Sequence, residues 1–357
     1  MFISISIMKR IISAFAALTL AITGLAQKVQ PDSMRVVKPY VIRHYQDAKA
    51  HRANAGIIIV EDGAHTRAMN PYNGGADSGI PYAEVANNYK RKMPHVNVYC
   101  MVVPTAVEFY CPPSASAWTK KQHITMNRTF SHLSDSVYAV NVHTNISKHT
   151  DEHIYSRTDH HWAPLGAFYA AEAFAKVASV PFRQLNDGYE EKVIHRYVGS
   201  MYSFSKDVSV KNAPEDFVYH IPTDVEYTTT YITYKTENRK IIGEYAPVTG
   251  TFFKTFKDGS GSAYCTFMGG DSKITQVRTA TKNGRRLVIF KDSFGNALPG
   301  YLFYSFEEIH VIDCRYFDRN IIKYVKDNKI TDLMFANNAT HANSASFMAN
   351  YKRFLIQ

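Results

Sequence analysis

Between Leu287 and Ala336 the chain alternates apolar and amphipathic runs with almost nothing between them, and few folds accept that order. The runs are a strand from Leu287 to Phe290, a helix from Ala297 to Phe306, a strand from Ile309 to Asp313, a helix from Arg319 to Asp327 and a strand from Leu333 to Ala336. Strands joined through single helices pair in parallel by right-handed crossovers, which predicts a parallel sheet covered on both faces. The rhythm is also present upstream. Gly56 to Val60 forms a buried strand closed by Glu61-Asp62-Gly63, and Tyr82 to Met93 is helical. A strand from Val96 to Val103 is stopped by Pro104, Thr119 to Leu133 is helical, and Val137 to Val142 is extended. Ala163 to Val177 is an alanine-rich helix that buries Phe168, Ala171, Phe174 and Ala178 at spacings of three and four. From about residue 190 to 282 the texture changes to short alternating runs rich in Tyr, Thr and Phe, which predicts a β-rich insertion.

Ligands of such sheets bind outside the carboxyl ends of the strands. The residues placed there are Pro104 and Thr105, Asp292 and Ser293, Arg315, and Asn337 and Asn338. The 357 residues are 45% hydrophobic and 20% charged, an ordinary globular composition that argues against disorder or coiled coil. Lys9 and Arg10 precede an uncharged run to Ala26 that is shorter than the roughly 20 residues of a spanning helix. Residues 1–26 therefore form a predicted signal peptide, and the mature chain, 27–357, is expected in the periplasm or outside the cell with no stable membrane insertion. Cys100, Cys111, Cys265 and Cys314 are too scattered for a disulfide framework or a zinc site; Cys100 and Cys111 either pair or remain buried thiols. The formal charge is +10, or +8 without Lys9 and Arg10, and it is dispersed, with no nucleic-acid motif.

Two stretches carry chemistry. Ser293 follows an apolar strand and precedes the predicted helix, where a sharp turn exposes a hydroxyl and helix N–H groups face a developing oxyanion. Serine attacks only when a base lies within hydrogen-bond reach and a third group orients that base. Asp159 and His161 lie two apart before Ala163-Pro164, so in an extended segment they share a face from which His160 turns away. Asp159 then fixes the tautomer of His161, and His161 takes the Ser293 proton. Plainer readings stand beside these. Ser293 is also what a helix cap looks like, His161 is also what a structural histidine looks like, and Asp159, His160 and His161 with His149 and His153 include metal-ligand types.

The segment Arg157-Thr158-Asp159-His160-His161-Trp162, the helix Gly166-Ala167-Phe168-Tyr169 and the downstream Lys291-Asp292-Ser293-Phe294-Gly295-Asn296 together resemble the DHHW protein family. That family is similar to the SGNH-type proteins of alginate O-acetylation. Val103-Pro104-Thr105, Gly199-Ser200-Met201-Tyr202, Phe267-Met268-Gly269-Gly270 and Val311 to Tyr316 extend the match in order. The resemblance implies a three-layer α/β/α flavodoxin-like domain over residues 27–357, with a triad on Asp159, His161 and Ser293. It also implies oxyanion or substrate contacts from Gly270, Asn296 and Arg315, each of which has a structural alternative in a turn, a cap or an ion pair. Lys291 stands where SGNH proteins carry Gly, and their Asn block is not evident, although Asn337 or Asn338 can serve.

The function that follows is an exported serine esterase or acetyltransferase that handles O-acetyl groups of a polysaccharide or oligosaccharide through an acetyl-serine. It needs no cofactor and no metal; in the transferase case an acetyl-donor partner protein is implied. A second reading, from the Tyr-rich insertion and the positive charge, is a non-catalytic glycan-binding or assembly protein on the same fold.

Overall fold

The computed structural model describes residues 30–238 and 240–357; the predicted signal peptide lies outside them. Among the described residues no helix is long and apolar enough to cross a membrane.

An eight-stranded mixed sheet organises the molecule. Its strands are β1 (Asn97–Val103), β2 (Val137–Val140), β3 (Tyr227–Ile232), β4 (Val248–Gly250), β5 (Ile274–Thr279), β6 (Arg286–Lys291), β7 (Glu308–Asp313) and β8 (Asp332–Asn338). In space they run β4-β3-β5-β7-β6-β8-β1-β2. The five from β7 to β2 are parallel, as the alternation predicts. The other three pair antiparallel, β5 on β7, β3 on β5 and β4 on β3. The predicted insertion is thus not set apart from a purely parallel sheet, because three of its strands widen that sheet. Strand pattern alone says nothing about which edge a strand joins, so this merger was not legible.

The core forms where aromatic residues of the sheet meet helices. Phe290 of β6 and Phe335 of β8 stack with centroids 5.6 Å apart. Onto this pair fold Tyr89 of α1 (Ile80–Lys92), 5.0 Å from Phe335, and Phe354 of a C-terminal helix (Ala345–Phe354), 5.8 Å from Phe290. Residues next in register point oppositely: Tyr99 of β1 meets Phe174 of the helix Pro164–Ala178 at 5.1 Å. Each such pair adds about 0.5–1.5 kcal/mol beyond burial.

Two expectations are corrected. Ile58–Val60 is buried but belongs to a small antiparallel sheet with Ala50–Arg52 and Arg67–Met69, outside the main one. Left-handed backbone at Ala55 and Gly56 shortens that strand and turns it back. The helix predicted from Ala297 to Phe306 is instead two 3-10 turns, Ser293–Ala297 and Pro299–Leu302. Pro299 offers no N–H and Gly300 has little helix propensity, so tight bonds such as Leu298 N–H to the Gly295 carbonyl replace the α ladder. Of the two readings left open for Cys100 and Cys111, the structure has the buried thiols; all four cysteines are free.

Candidate active site

The segment carrying Asp159 and His161 is a bent loop, not the extended strand its spacing suggests. Tyr155 and Trp162 close its ends through a single antiparallel bridge, and the Tyr155 hydroxyl donates to the Pro104 carbonyl at 2.6 Å. Inside, the buried Glu215 carboxylate accepts from the N–H groups of Arg157 (2.9 Å) and Thr158 (2.8 Å), from the Thr158 hydroxyl (2.6 Å) and from His153 (2.8 Å). It also accepts from the Ser156 hydroxyl. Burial alone would raise the Glu215 pKa, yet His153 and these N–H groups hold it down at about 2.

With the loop so curled, Asp159 reaches His161 by turning back on it. Asp159 Oδ1 accepts from the His161 backbone N–H at 3.0 Å and pairs with ring Nδ1 at 2.6 Å, while Oδ2 accepts from the Ser200 N–H at 2.8 Å. Gly199 permits this approach: a Cβ there would stand 2.5 Å from Asp159 Oδ2. Burial would raise the Asp159 pKa, but the His161 ring, then His160 and the Ser200 N–H, hold it well below the usual carboxylate range. An ionised partner keeps the proton on Nδ1, which leaves Nε2 of His161 as an acceptor. That Nε2 lies 2.8 Å from Ser293 Oγ. The Tyr264 ring lies flat on the imidazole, 3.8 Å away and 5° from parallel. His160 does not turn clear of the pair, since its ring is 3.7 Å from His161 and its Nδ1 is 2.6 Å from Ser200 Oγ.

Ser293 is half-buried and opens the first 3-10 turn. Asp292, fully buried, caps that turn by accepting from the Phe294 N–H at 2.9 Å. The Gly295 N–H is taken by the Asp292 carbonyl at 3.0 Å, and the Tyr264 hydroxyl and Trp162 indole both donate to the Phe294 carbonyl. Of the turn's first three N–H groups, only that of Ser293 has no acceptor among the described residues. The oxyanion donors expected from a long helix are thus reduced to that single group.

The lesser candidates divide into two sets. Asn338 donates its side chain to Asp292 at 3.1 Å and caps the segment after β8, while Asn337 sits fully buried between Asp292, Tyr82 and Tyr351. Both act on Asp292. Asn296 and Arg315 both bind Asp271, at 3.0 and 2.7 Å, and Lys291 joins Asp271 to Asp313 at 2.9 and 2.8 Å. Gly270, in left-handed backbone at φ +110°, spends its N–H on the Phe267 carbonyl in a turn. Lys291 is therefore one of two cations, with Arg315, that pair with Asp271 and Asp313 in a largely buried charge cluster. Burial opposes its charge, yet Asp313 and Asp271 push its pKa up.

Asp159, His160 and His161 also offer ligand atoms within 4.8 Å of one another. Their hydrogen bonds to one another, to Ser200 and to Ser293 already engage both Asp159 oxygens, both His161 nitrogens and His160 Nδ1. His149 and His153 point elsewhere, pairing with Glu152 and Glu215. The donor set fits a proton relay better than a metal.

Sequence reasoning missed Glu215, Tyr264 and Asp271. None sits in a motif, and each acts across twenty or more residues of chain, so only the folded chain reveals it.

Comparison with known proteins places the chain in a family. The model of the DHHW protein family matches residues 26–312. A crystal structure of a DHHW family protein from Eubacterium siraeum DSM 15702 is 39% identical, with TM-score 0.76 over 87% of this chain and 98% of its own. Bacillus cereus PatB1, solved with a sulfonyl adduct, is 16% identical and shares the fold, with TM-score 0.62 over 82% of this chain and 97% of its own. The O-acetyltransferase domain of Pseudomonas putida AlgJ aligns more loosely, at 11% identity and TM-score 0.43 over 85% and 99%. No curated protein matches. With the family model spanning most of the chain and the Asp-His-His-Trp segment at the centre of the site, the protein belongs to the DHHW family.

Proposed function

We propose that the protein is an exported O-acetyl esterase or O-acetyltransferase acting on a polysaccharide or oligosaccharide, with residues 27–357 as one catalytic unit on a flavodoxin-like, three-layer scaffold. The observation that carries this is the unbroken relay from Ser293 Oγ to His161 (2.8 Å) to Asp159 (2.6 Å). Ser293 Oγ bonds to the acetyl carbonyl carbon as its proton passes to His161 Nε2. The Ser293 N–H faces the negative oxygen of the tetrahedral intermediate. Collapse breaks the ester C–O bond, and the departing sugar oxygen takes the proton from His161, leaving acetyl-Ser293. Water or a second sugar hydroxyl then attacks, gives its proton to His161, and the Ser293 oxygen leaves with that proton. Asp159 remains ionised throughout and stabilises the transient imidazolium.

Mature protein incubated with p-nitrophenyl acetate is expected to gain one acetyl group on Ser293 by mass spectrometry and to turn over at least about a thousandfold faster than Ser293→Ala. Equal turnover and labelling in the two proteins would remove the proposal.

A further inference from the structure

A cavity of about 420 Å³ adjoins the relay. Phe294, the neighbour of Ser293, and His160, the neighbour of His161, both line it, and so does Asp159. Its far wall is His341, whose Nδ1 lies 3.0 Å from the fully buried carboxylate of Asp292. This repeats the arrangement of His161 and Asp159 on the opposite flank of the serine turn. Asp292 is held ionised, because His341 and the N–H groups of Asn338 and Phe294 outweigh its burial. The Asn338 amide lies 2.9 Å from the same Nδ1, so both neighbours meet that nitrogen and Nε2 is the ring atom left for a ligand.

Apart from Asp159, the polar part of the wall carries no formal charge, and it is set among apolar residues such as Met69, Pro71 and Met201. Asn70, Asn73 and Thr340 are exposed on it, and no Lys or Arg lines it. Such a surface offers amides and hydroxyls to sugar hydroxyls and an imidazole nitrogen to a sugar O–H. To a carboxylated sugar it offers no Lys or Arg, while Asp159 in the lining and the buried Asp292 behind it place negative charge nearby.

We infer that this cavity is the carbohydrate subsite of the reaction and that it takes an uncharged, hydroxyl-rich glycan, with His341 as a hydrogen-bond partner for one of its hydroxyls. The inference rests on the acetyl-transfer reading for the identity of the ligand class. It departs from what the net charge suggests, since none of the Lys and Arg residues behind that charge lines this cavity.

Binding is measured on the full mature chain carrying Ser293→Ala, so that no turnover occurs. Cellotetraose, xylotetraose and chitotetraose serve as neutral probes and tetragalacturonate as the anionic one, with titration calorimetry as the readout. At least one neutral probe is expected to bind about tenfold or more tighter than tetragalacturonate. Adding His341→Gln should weaken that neutral probe about tenfold, and Asn73→Ala, on the exposed rim, by about threefold. Should His341→Gln fail to fold, Asn73→Ala decides alone. Equal binding of tetragalacturonate, no binding of any neutral probe, or neutral binding indifferent to the rim variant overturns the inference. Acetylation of Ser293 in the wild-type chain separates the two claims. A chain that acetylates but binds no neutral probe loses only the subsite, whereas one that binds without acetylating loses only the acetyl chemistry.

Discussion

The two halves of the site are both irregular backbone, and each is built around one buried carboxylate, but those carboxylates draw their partners from different sources. Glu215 stands on an antiparallel ribbon, Tyr189–Tyr197 with Glu215–Pro222, and is satisfied almost wholly by the loop it holds, residues 153 to 158. Asp292 stands at the end of β6 and is satisfied mainly from β8 and the segment after it, through Asn337, Asn338 and His341. The histidine half is therefore an attachment pinned by an added ribbon, and the serine half is part of the sheet. Loops that present backbone N–H groups to a single acceptor have no substitute when it is removed. A carboxylate surrounded by amide side chains leaves partners that can turn to one another.

Breaking each carboxylate in turn tests that difference. Glu215→Ala should cost the most, about 3–5 kcal/mol in denaturant unfolding, because it strands two buried N–H groups, two hydroxyls and His153, and it should abolish esterase activity. Asp292→Asn keeps shape and hydrogen-bonding capacity and should cost about 1–3 kcal/mol in the same assay, with weaker binding at the neighbouring cavity. A loss from Asp292→Asn equal to that from Glu215→Ala would erase the distinction.

Acid should open the histidine half through Glu215. Its folded pKa, about 2, lies below the ordinary 4.5, so the stability it contributes is complete above about pH 4.5 and drains away as pH falls toward 2. Trp162, which closes the loop, should report this as a fluorescence change in that window, and Glu215→Gln should lack that step. Gly199→Ala sharpens the comparison at the level of geometry. Its Cβ would crowd Asp159, so kcat should fall about tenfold or more while the melting temperature moves little, as circular dichroism would show. The smallest expected effect is Tyr264→Phe, which removes hydroxyl donation to the Ser293 and Phe294 carbonyls but keeps the ring on His161, and should cost about 1 kcal/mol.

Much of this was legible before folding because the signals are local. The strands β1, β6, β7 and β8 fall within two residues of their predicted limits, since each apolar run ends at Pro104, a loop or a charged turn. Asp159, His161 and Ser293 were legible because each sits in a compact motif beside a predicted element. The route by which Asp159 meets His161 was not, because a two-residue spacing suits both a strand and a back-turned loop, and only the grip of Glu215 selects the loop. Glu215 itself lies in an unremarkable Tyr- and Phe-rich run. The 3-10 turns after Ser293 were misread because apolar spacing from Ala297 to Phe306 suits a helix, while Pro299-Gly300 undoes one.

Strand β8 is the last to be synthesised of the eight, yet it lies between β6 and β1, near the middle of the sheet. Until residue 338 has emerged from the ribosome, the two flanks of the sheet have no seam to join along, and the carboxylate beside Ser293 has none of its asparagine partners. A chain at that stage already carries Asp159, His161 and Ser293, but the turn that bears Ser293 is not yet fixed to the strand beside it.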